Sequence, residues 1–405
     1  IDIDNESKEV WYEVDKEYGK YLCDDRVDAI LVGVLHYAME KGHDIESDSY
    51  VTDEILYKIK TYLIPSLTRY AETLNKINIS IKTKKPFKGA SGVGTGCSGG
   101  IDSLHSIIVN KDLENKDFRL THLCLNNVGA FNSCYKENSL EEVREFVIDK
   151  AKKIAKEVNL PLIITDSNFQ DVITESHYLT STYSSVFAIL CMQKLWKIYY
   201  YGSSGLDYSK FSIIDNDKHA CSHYELLSLD CYSSSGLKIY SEGGAMTRFD
   251  KIEKIYKSPL VKKYTHTCTV KMHNCNQCPK CKGLLLALYA LTDDLSEYKE
   301  ILDVDYFYEH KLDYFKWIYE EHLYGLGMYE HTYQELLKRR DDFKKEIEKI
   351  EKEKANSLAI TQEYNYYEEE YKKVVNSKAF KVGSIIMYVP QKVKAFIINK
   401  QHKER

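Results

Sequence analysis

Residues 24 to 42 read DDRVDAILVGVLHYAMEKG, in which Val27, Ile30, Leu31, Val34, Leu35 and Ala38 recur at the spacing of one helix face behind an aspartate cap. A second helix is predicted over about residues 53 to 73. INISIKT at 77 to 83 then alternates with the period of a strand. Residues 1 to 85 thus predict a small α+β module, closed by the basic, glycine- and proline-containing KTKKPFKGASG.

From 86 to 295 the pattern becomes strand, helix, strand, helix. GVGTGC, LTHLCLNNVG, LPLIITDSN and KIYYYGSSG are strand-like and end in polar or glycine residues. DSLHSIIVNKDL, SLEEVREFVIDKAKKIAKEV and SSVFAILCMQKLW are helix-like between them. Such alternation predicts the α/β class with a doubly wound, mainly parallel sheet, whose ligands bind beyond the carboxyl ends of the strands. Residues 296 to 376 form a helical extension in which 333 to 360 read as one long charged helix. Its stripe of Leu336, Phe343, Ile347 and Ile350 is too sparse for a coiled coil. The tail from 377 to 405 is basic and broken at Pro390. Residues 371 to 405 hold nine Lys or Arg against one Glu, which suits contact with an acidic partner or a membrane surface. No internal repeat is present.

With 405 residues and 43% hydrophobic content the chain can bury a sizeable core. Fifty-six basic against 61 acidic residues provide no global attraction for nucleic acid or anionic lipid. No apolar run approaches the roughly 20 residues of a membrane span. Eleven cysteines, four of them between 268 and 281, point to thiols in a reducing cytoplasm with one metal cluster rather than a disulfide framework.

Chemistry concentrates in GVGTGCSGGIDSLHS, residues 92 to 106, which carries five glycines. The stretch reads as a packing turn, as a dinucleotide fingerprint through Gly94, Gly96 and Gly99, or as an anion cradle at Ser98 to Ser103. The fingerprint lacks its acid, because the next strand ends in Asn126 and Asn127. In the cradle, Gly99 and Gly100 let amides approach a phosphate, the helix N-terminus adds a favourable dipole, and Ser98 and Ser103 supply hydroxyls. Asp102 is an awkward neighbour for phosphate, since like charges 4 Å apart repel by about 4 kcal/mol at an effective dielectric near 20. A bridging Mg²⁺ removes the conflict.

SGGIDS after a strand resembles the signature of the PP-loop ATP pyrophosphatases, the adenine nucleotide alpha hydrolase-like superfamily. The resemblance covers about residues 90 to 291. It implies that Ser98, Gly99, Gly100, Asp102 and Ser103 grip the β- and γ-phosphates of ATP, with Asp102 and Ser103 in catalytic roles. It also places adenine and ribose contacts at NNVG (126 to 129) and TDSN (165 to 168), hence Asn127 and Asp166, and a small-residue turn at YGSSG (201 to 205), hence Gly202. SEGGAMTRFDKI would contribute phosphate-binding bases, Arg248 and Lys251, although both equally suit a solvated helix face.

Cys268, Cys275, Cys278 and Cys281 have the spacing of a closed tetrahedral Zn²⁺ site, with an iron–sulfur cluster as the alternative and His273 as a substitute ligand. The arrangement resembles the zinc knuckle of 7-cyano-7-deazaguanine synthases and of other zinc-knuckle PP-loop proteins, with six rather than eight residues between Cys268 and Cys275. The expectation is an ATP-dependent ligase that adenylates a carboxylate or carbonyl oxygen of a small molecule or modified metabolite for attack by nitrogen. Ammonia would be free or delivered by a donor protein. Sulfur transfer, with a sulfur donor and Cys97 or Cys134 as nucleophile, is the alternative enzyme. A nucleic-acid-binding zinc protein and an oligomeric or partner-joining scaffold are the non-enzymatic ones.

Overall fold

The computed structural model describes residues 1 to 376 except 5, 132 to 133, 204 to 206, 214 to 219 and 326. The basic tail from 377 lies outside the described residues. The chain divides into two compact units, Ile1–Asp341 and a second beginning at Asp342.

In the first unit, β1 (Asp2–Ile3) and β2 (Glu6–Ser7) form a short antiparallel pair, and β3 is Tyr12–Val14. β4 (Ile45–Thr52) and β5 (Ile79–Lys84) pair in parallel. β6 (Gly92–Gly96), β7 (His122–Asn127), β8 (Leu162–Ser167), β9 (Trp196–Gly202) and β10 (Lys238–Glu242) are the parallel strands of a six-stranded sheet. Its order is β10-β9-β6-β7-β8-β3, and β3 is antiparallel to β8. The direction of winding therefore reverses between β6 and β9, which makes their carboxyl ends the topological switch point where ligands bind in open α/β sheets.

Cys124, Ile163 and Tyr199 of the sheet share one core with the helices Asp28–Lys41 and His177–Cys191. The helices Ile101–Asn110 and Leu140–Val158 cover β6, β7, β8 and β9. Close strand packing accounts for part of the glycine content: a Cβ on Gly94 would stand 2.7 Å from the Trp196 ring, and one on Gly92 2.7 Å from the Leu195 carbonyl.

Several local expectations change. Asp28–Lys41 has no side-chain cap, and Asp28 is instead buried, accepting from Thr52 N and Oγ1 at 2.6 Å and from Gln193 Nε2 at 2.9 Å. Its burial runs beyond one face, because Val32, Gly33 and Met39 are covered as well as Leu31 and Leu35. The second helix is helical from Asp53 to Tyr70 but passes through a π turn at Ile59–Leu63. That turn lies just before Pro65, whose ring cannot meet the normal i−4 carbonyl. The long charged helix is interrupted: Gly327–Arg339 ends before Arg340, and a new helix starts at Asp341. Arg340 is held by Asp293 at 2.6 Å and lies over the Tyr289 ring. Strands β3 and β10, too short to stand out in the pattern, extend the two edges of the sheet. No helix among the described residues is long and apolar enough to cross a membrane, and the cysteines form no disulfide.

Candidate functional site

β6 leads to Cys97, a buried thiol that desolvation pushes up to about 12, and the helix Ile101–Asn110 starts with Gly100 as its N-cap. Gly99 has φ +79°, in the left-handed region that favours glycine, and a Cβ there would stand 3.0 Å from Lys150 Cδ and Cε. Gly100 has an ordinary φ of −75° and nothing nearer to a Cβ than Ser98 Oγ at 3.5 Å. One glycine is thus required by the backbone, while the other leaves open surface. The hydroxyls satisfy the loop itself: Gly99 N donates to Ser103 Oγ at 3.1 Å and Gly100 N to Ser98 Oγ at 3.3 Å. Ser98 Oγ and Ser103 Oγ are 3.2 Å apart.

Asp102 occupies the first helical turn with its side chain 20% exposed. Arg248 Nη2 approaches Oδ2 and Lys251 Nζ approaches Oδ1, each at 2.9 Å. Burial alone would raise the carboxyl, but the Arg248 and Lys251 charges, with Lys280, outweigh it and hold Asp102 below the usual range. Lys251 also donates to Ser203 O at 2.8 Å. Both bases come from the helix Arg248–Ile255, which opens with a Thr247–Asp250 capping box. Neither is on a solvated face: Lys251 is fully buried, and Arg248 Nε is buried without a protein partner among the described residues. Both Asp102 oxygens face cationic side chains, so the protein itself balances the carboxylate charge.

Two cavities share Ser98, Asp102, Ala130 and Phe131 in their walls. One of about 260 Å³ lies at the switch point among Gly96, Asn126, Tyr199 and Gly202. The other, of about 450 Å³, is lined by three basic residues, Lys150, Arg248 and Lys280, together with His177 and His266, whose rings burial lowers to about 4 and so keeps neutral at pH 7. Gly202 belongs with the loop, since a Cβ on it would stand 3.3 Å from Asp102 O; of YGSSG, residues 204 and 205 lie outside the described residues. Asn127 and Asp166 are brought together with each other but line neither cavity. Asn127 Nδ2 donates to Asp166 Oδ1 at 2.6 Å, and Arg144 takes Oδ2 at 2.5 Å. Adjacent strand residues face opposite ways, so Asn126, bonded to Tyr199 OH and Thr165 Oγ1, is the one in the cavity wall.

The sequence reading missed Lys150 and His266. Lys150 Nζ lies 3.2 Å from His266 Nδ1, and His266 N donates to Gly99 O at 2.9 Å, which ties this pair to the loop. Burial lowers Lys150 to about 8 and His266 to about 4. The available signal was a lysine lying on the buried stripe of Val143, Val147, Ala151 and Ile154.

Sulfurs of Cys268, Cys275, Cys278 and Cys281 all lie within 4.8 Å of one another, and the exposed His273 stands outside the group. Cys268 Sγ and Cys278 Sγ are 3.9 Å apart, close to the edge of about 3.8 Å in a tetrahedron with Zn–S of about 2.3 Å. Val270 N and Lys271 N donate to Cys268 Sγ, and Cys278 N to Cys275 Sγ, an arrangement that stabilises thiolates. The four cysteines fit a closed zinc site. Asn274, also missed, organises it: Oδ1 accepts from Thr267 N and Cys268 N, while Nδ2 donates to Thr265 O and Ile301 O.

No family model matches the chain, no curated protein matches it, and no solved structure matches it.

Proposed function

We propose that the chain is an ATP-dependent adenylating ligase of the PP-loop type, releasing pyrophosphate and AMP. The observation that carries this reading is the glycine loop at the switch point, with Asp102 clasped by Arg248 and Lys251 beside two joined cavities. The nucleoside lies in the cavity bounded by Gly96, Asn126 and Gly202. The phosphates turn along Ser98 to Ser103, displacing the serine hydroxyls from the Gly99 and Gly100 amides, toward Arg248 and Lys280.

In the first step a carboxylate or carbonyl oxygen of the acceptor attacks the α-phosphorus and the bond to the bridging oxygen of pyrophosphate breaks. Negative charge grows on the leaving group, where the loop amides and the cations stabilise it. Asp102 acts through its partners, holding Arg248 and Lys251 in place. In the second step a nitrogen nucleophile attacks the activated carbon, AMP departs with the bonding pair, and the nitrogen loses its proton. The cysteine cluster fits a structural zinc that pins the segment carrying His266 and Lys280.

Sulfur transfer is the second reading, favoured by Cys134 in the wall of the cationic cavity. Cys97 does not support it, because burial keeps that thiol protonated. Chromatography of the nucleotide products formed with the acceptor tests both readings: AMP and pyrophosphate are expected, and ADP with inorganic phosphate would overturn the assignment. Calorimetric titration of ATP and of pyrophosphate tests the site without an acceptor.

A further inference from the structure

Lys150 has an environment that the loop chemistry leaves unexplained. The residue is 9% exposed, and no carboxylate among the described residues pairs with it. Its ammonium meets His266 Nδ1 at 3.2 Å and stands 4.9 Å from the centre of the Phe146 ring. His266 Nε2 faces the Lys271 carbonyl at 3.2 Å, an oxygen that only accepts, so the ring proton sits on Nε2 and Nδ1 offers Lys150 a lone pair. A lone pair does not balance a charge. An ammonium removed from water without a counter-ion is costly, and an anion delivered to it relieves that cost.

The residue also borders open space. Lys150 stands in the wall of the cationic cavity and in the wall of a cleft of about 870 Å³ between its own helix and residues 263 to 274. The rim lysines are largely balanced, Lys153 by Asp149 at 2.6 Å and Lys263 by Glu157 at 3.6 Å. Lys156 also lines the cleft but is exposed to water, so the desolvated charge without a carboxylate partner is Lys150 at the inner end, while Phe146, Tyr264, Met272 and Ile301 offer apolar surface along the way. The cleft is of a size for a metabolite.

We propose that this cleft binds a small organic acid, with its carboxylate or phosphate on Lys150 Nζ and its apolar body along Phe146 and Tyr264. The anion site stands on its own geometry. Its identification as the place of the acceptor rests on the ligase reading, in which Lys150 holds the acid at the border of the cavity containing Asp102 and Arg248.

Phenylacetate and phenyl phosphate, titrated separately into the full-length protein by calorimetry, are the probes, and the arm that binds tells carboxylate from phosphate. Lys150→Met should weaken binding at least about tenfold, as expected for loss of a charge-assisted hydrogen bond, while Lys150→Arg should retain most of it. Gly100→Val, which obstructs the nucleotide loop, should leave probe binding unchanged. Failure of both probes to bind the wild type, or undiminished binding by a folded Lys150→Met variant, overturns the site. A wild type that binds a probe but not ATP would overturn the ligase reading and leave the anion site standing.

Discussion

Lys251 Nζ, fully buried, stands 2.9 Å from Asp102 Oδ1 and joins two helices through residues 149 positions apart in the chain. Arg248, one turn earlier on the same helix, takes the other oxygen of the same carboxylate. Lys251→Met leaves the carboxylate half-paired in a largely desolvated place, and breaking a buried pair costs about 3–5 kcal/mol. Urea denaturation at pH 7 should show a loss of that order. Asp102 is held below its usual 3.8, so its contribution is present above pH 3.8 and disappears as pH falls through its lowered value. The gap between variant and wild type should narrow in acid; one that is unchanged there would contradict the pairing.

Gly99 and Gly100 should separate structure from binding. Gly99→Ala forces a side chain into the left-handed region against Lys150, and about 1–2 kcal/mol of stability should be lost. Gly100→Val has room within the protein and should melt near the wild type while losing ATP affinity. Equal ATP affinity in Gly100→Val would show that phosphate does not approach this amide.

At the cysteine cluster, Cys278→Ser should lose bound zinc and thermal stability together, because structural zinc sites supply about 10–16 kcal/mol of apparent binding energy. Asn274→Ala removes four hydrogen bonds to backbone groups around the ligands, and the contact of Cys281 Sγ with Asn274 Oδ1, without removing a ligand. Its zinc affinity should fall by about 10–100-fold, read by competition with a chelator. Metal analysis after dialysis reads both; a metal-free Cys278→Ser that melts like the wild type would remove the structural role.

Lys150 should cost stability at neutral pH. Its folded value of about 8 lies below the usual 10.5, so between these values the unfolded chain binds more protons and stability rises with pH. Below pH 8 the full cost, about 3 kcal/mol at 1.36 kcal/mol per pKa unit, is present. Its neighbours His266, lowered to about 4, and Cys97, raised to about 12, keep their neutral forms across this window. Lys150→Met should therefore be more stable than the wild type at pH 7, with a gain that fades toward pH 10.5. Denaturation curves at three pH values would show it; a variant less stable at pH 7 would refute the buried charge.

Features written in short stretches of sequence were legible directly. Strand and helix alternation from 86 to 295 follows from side-chain period, the SGGIDS turn from glycine and a helix start, and the four-cysteine cluster from the spacing of Cys268, Cys275, Cys278 and Cys281. The bounds of the long C-terminal helix were not, because a charged helical pattern carries no mark of the break at Arg340. Tertiary structure alone decided which side chains meet. It chose Asn126 over Asn127 for the cavity wall, since strand alternation turns neighbours to opposite faces but leaves open which face meets the cavity. It brought Arg248 and Lys251 to Asp102 and ran Lys150 beneath Gly99, contacts with no local sequence signature. Periodicity is set by backbone geometry within a few residues. Pairing of charges across more than a hundred residues depends on which faces the whole core buries, and it emerges only when the sheet and helices have packed.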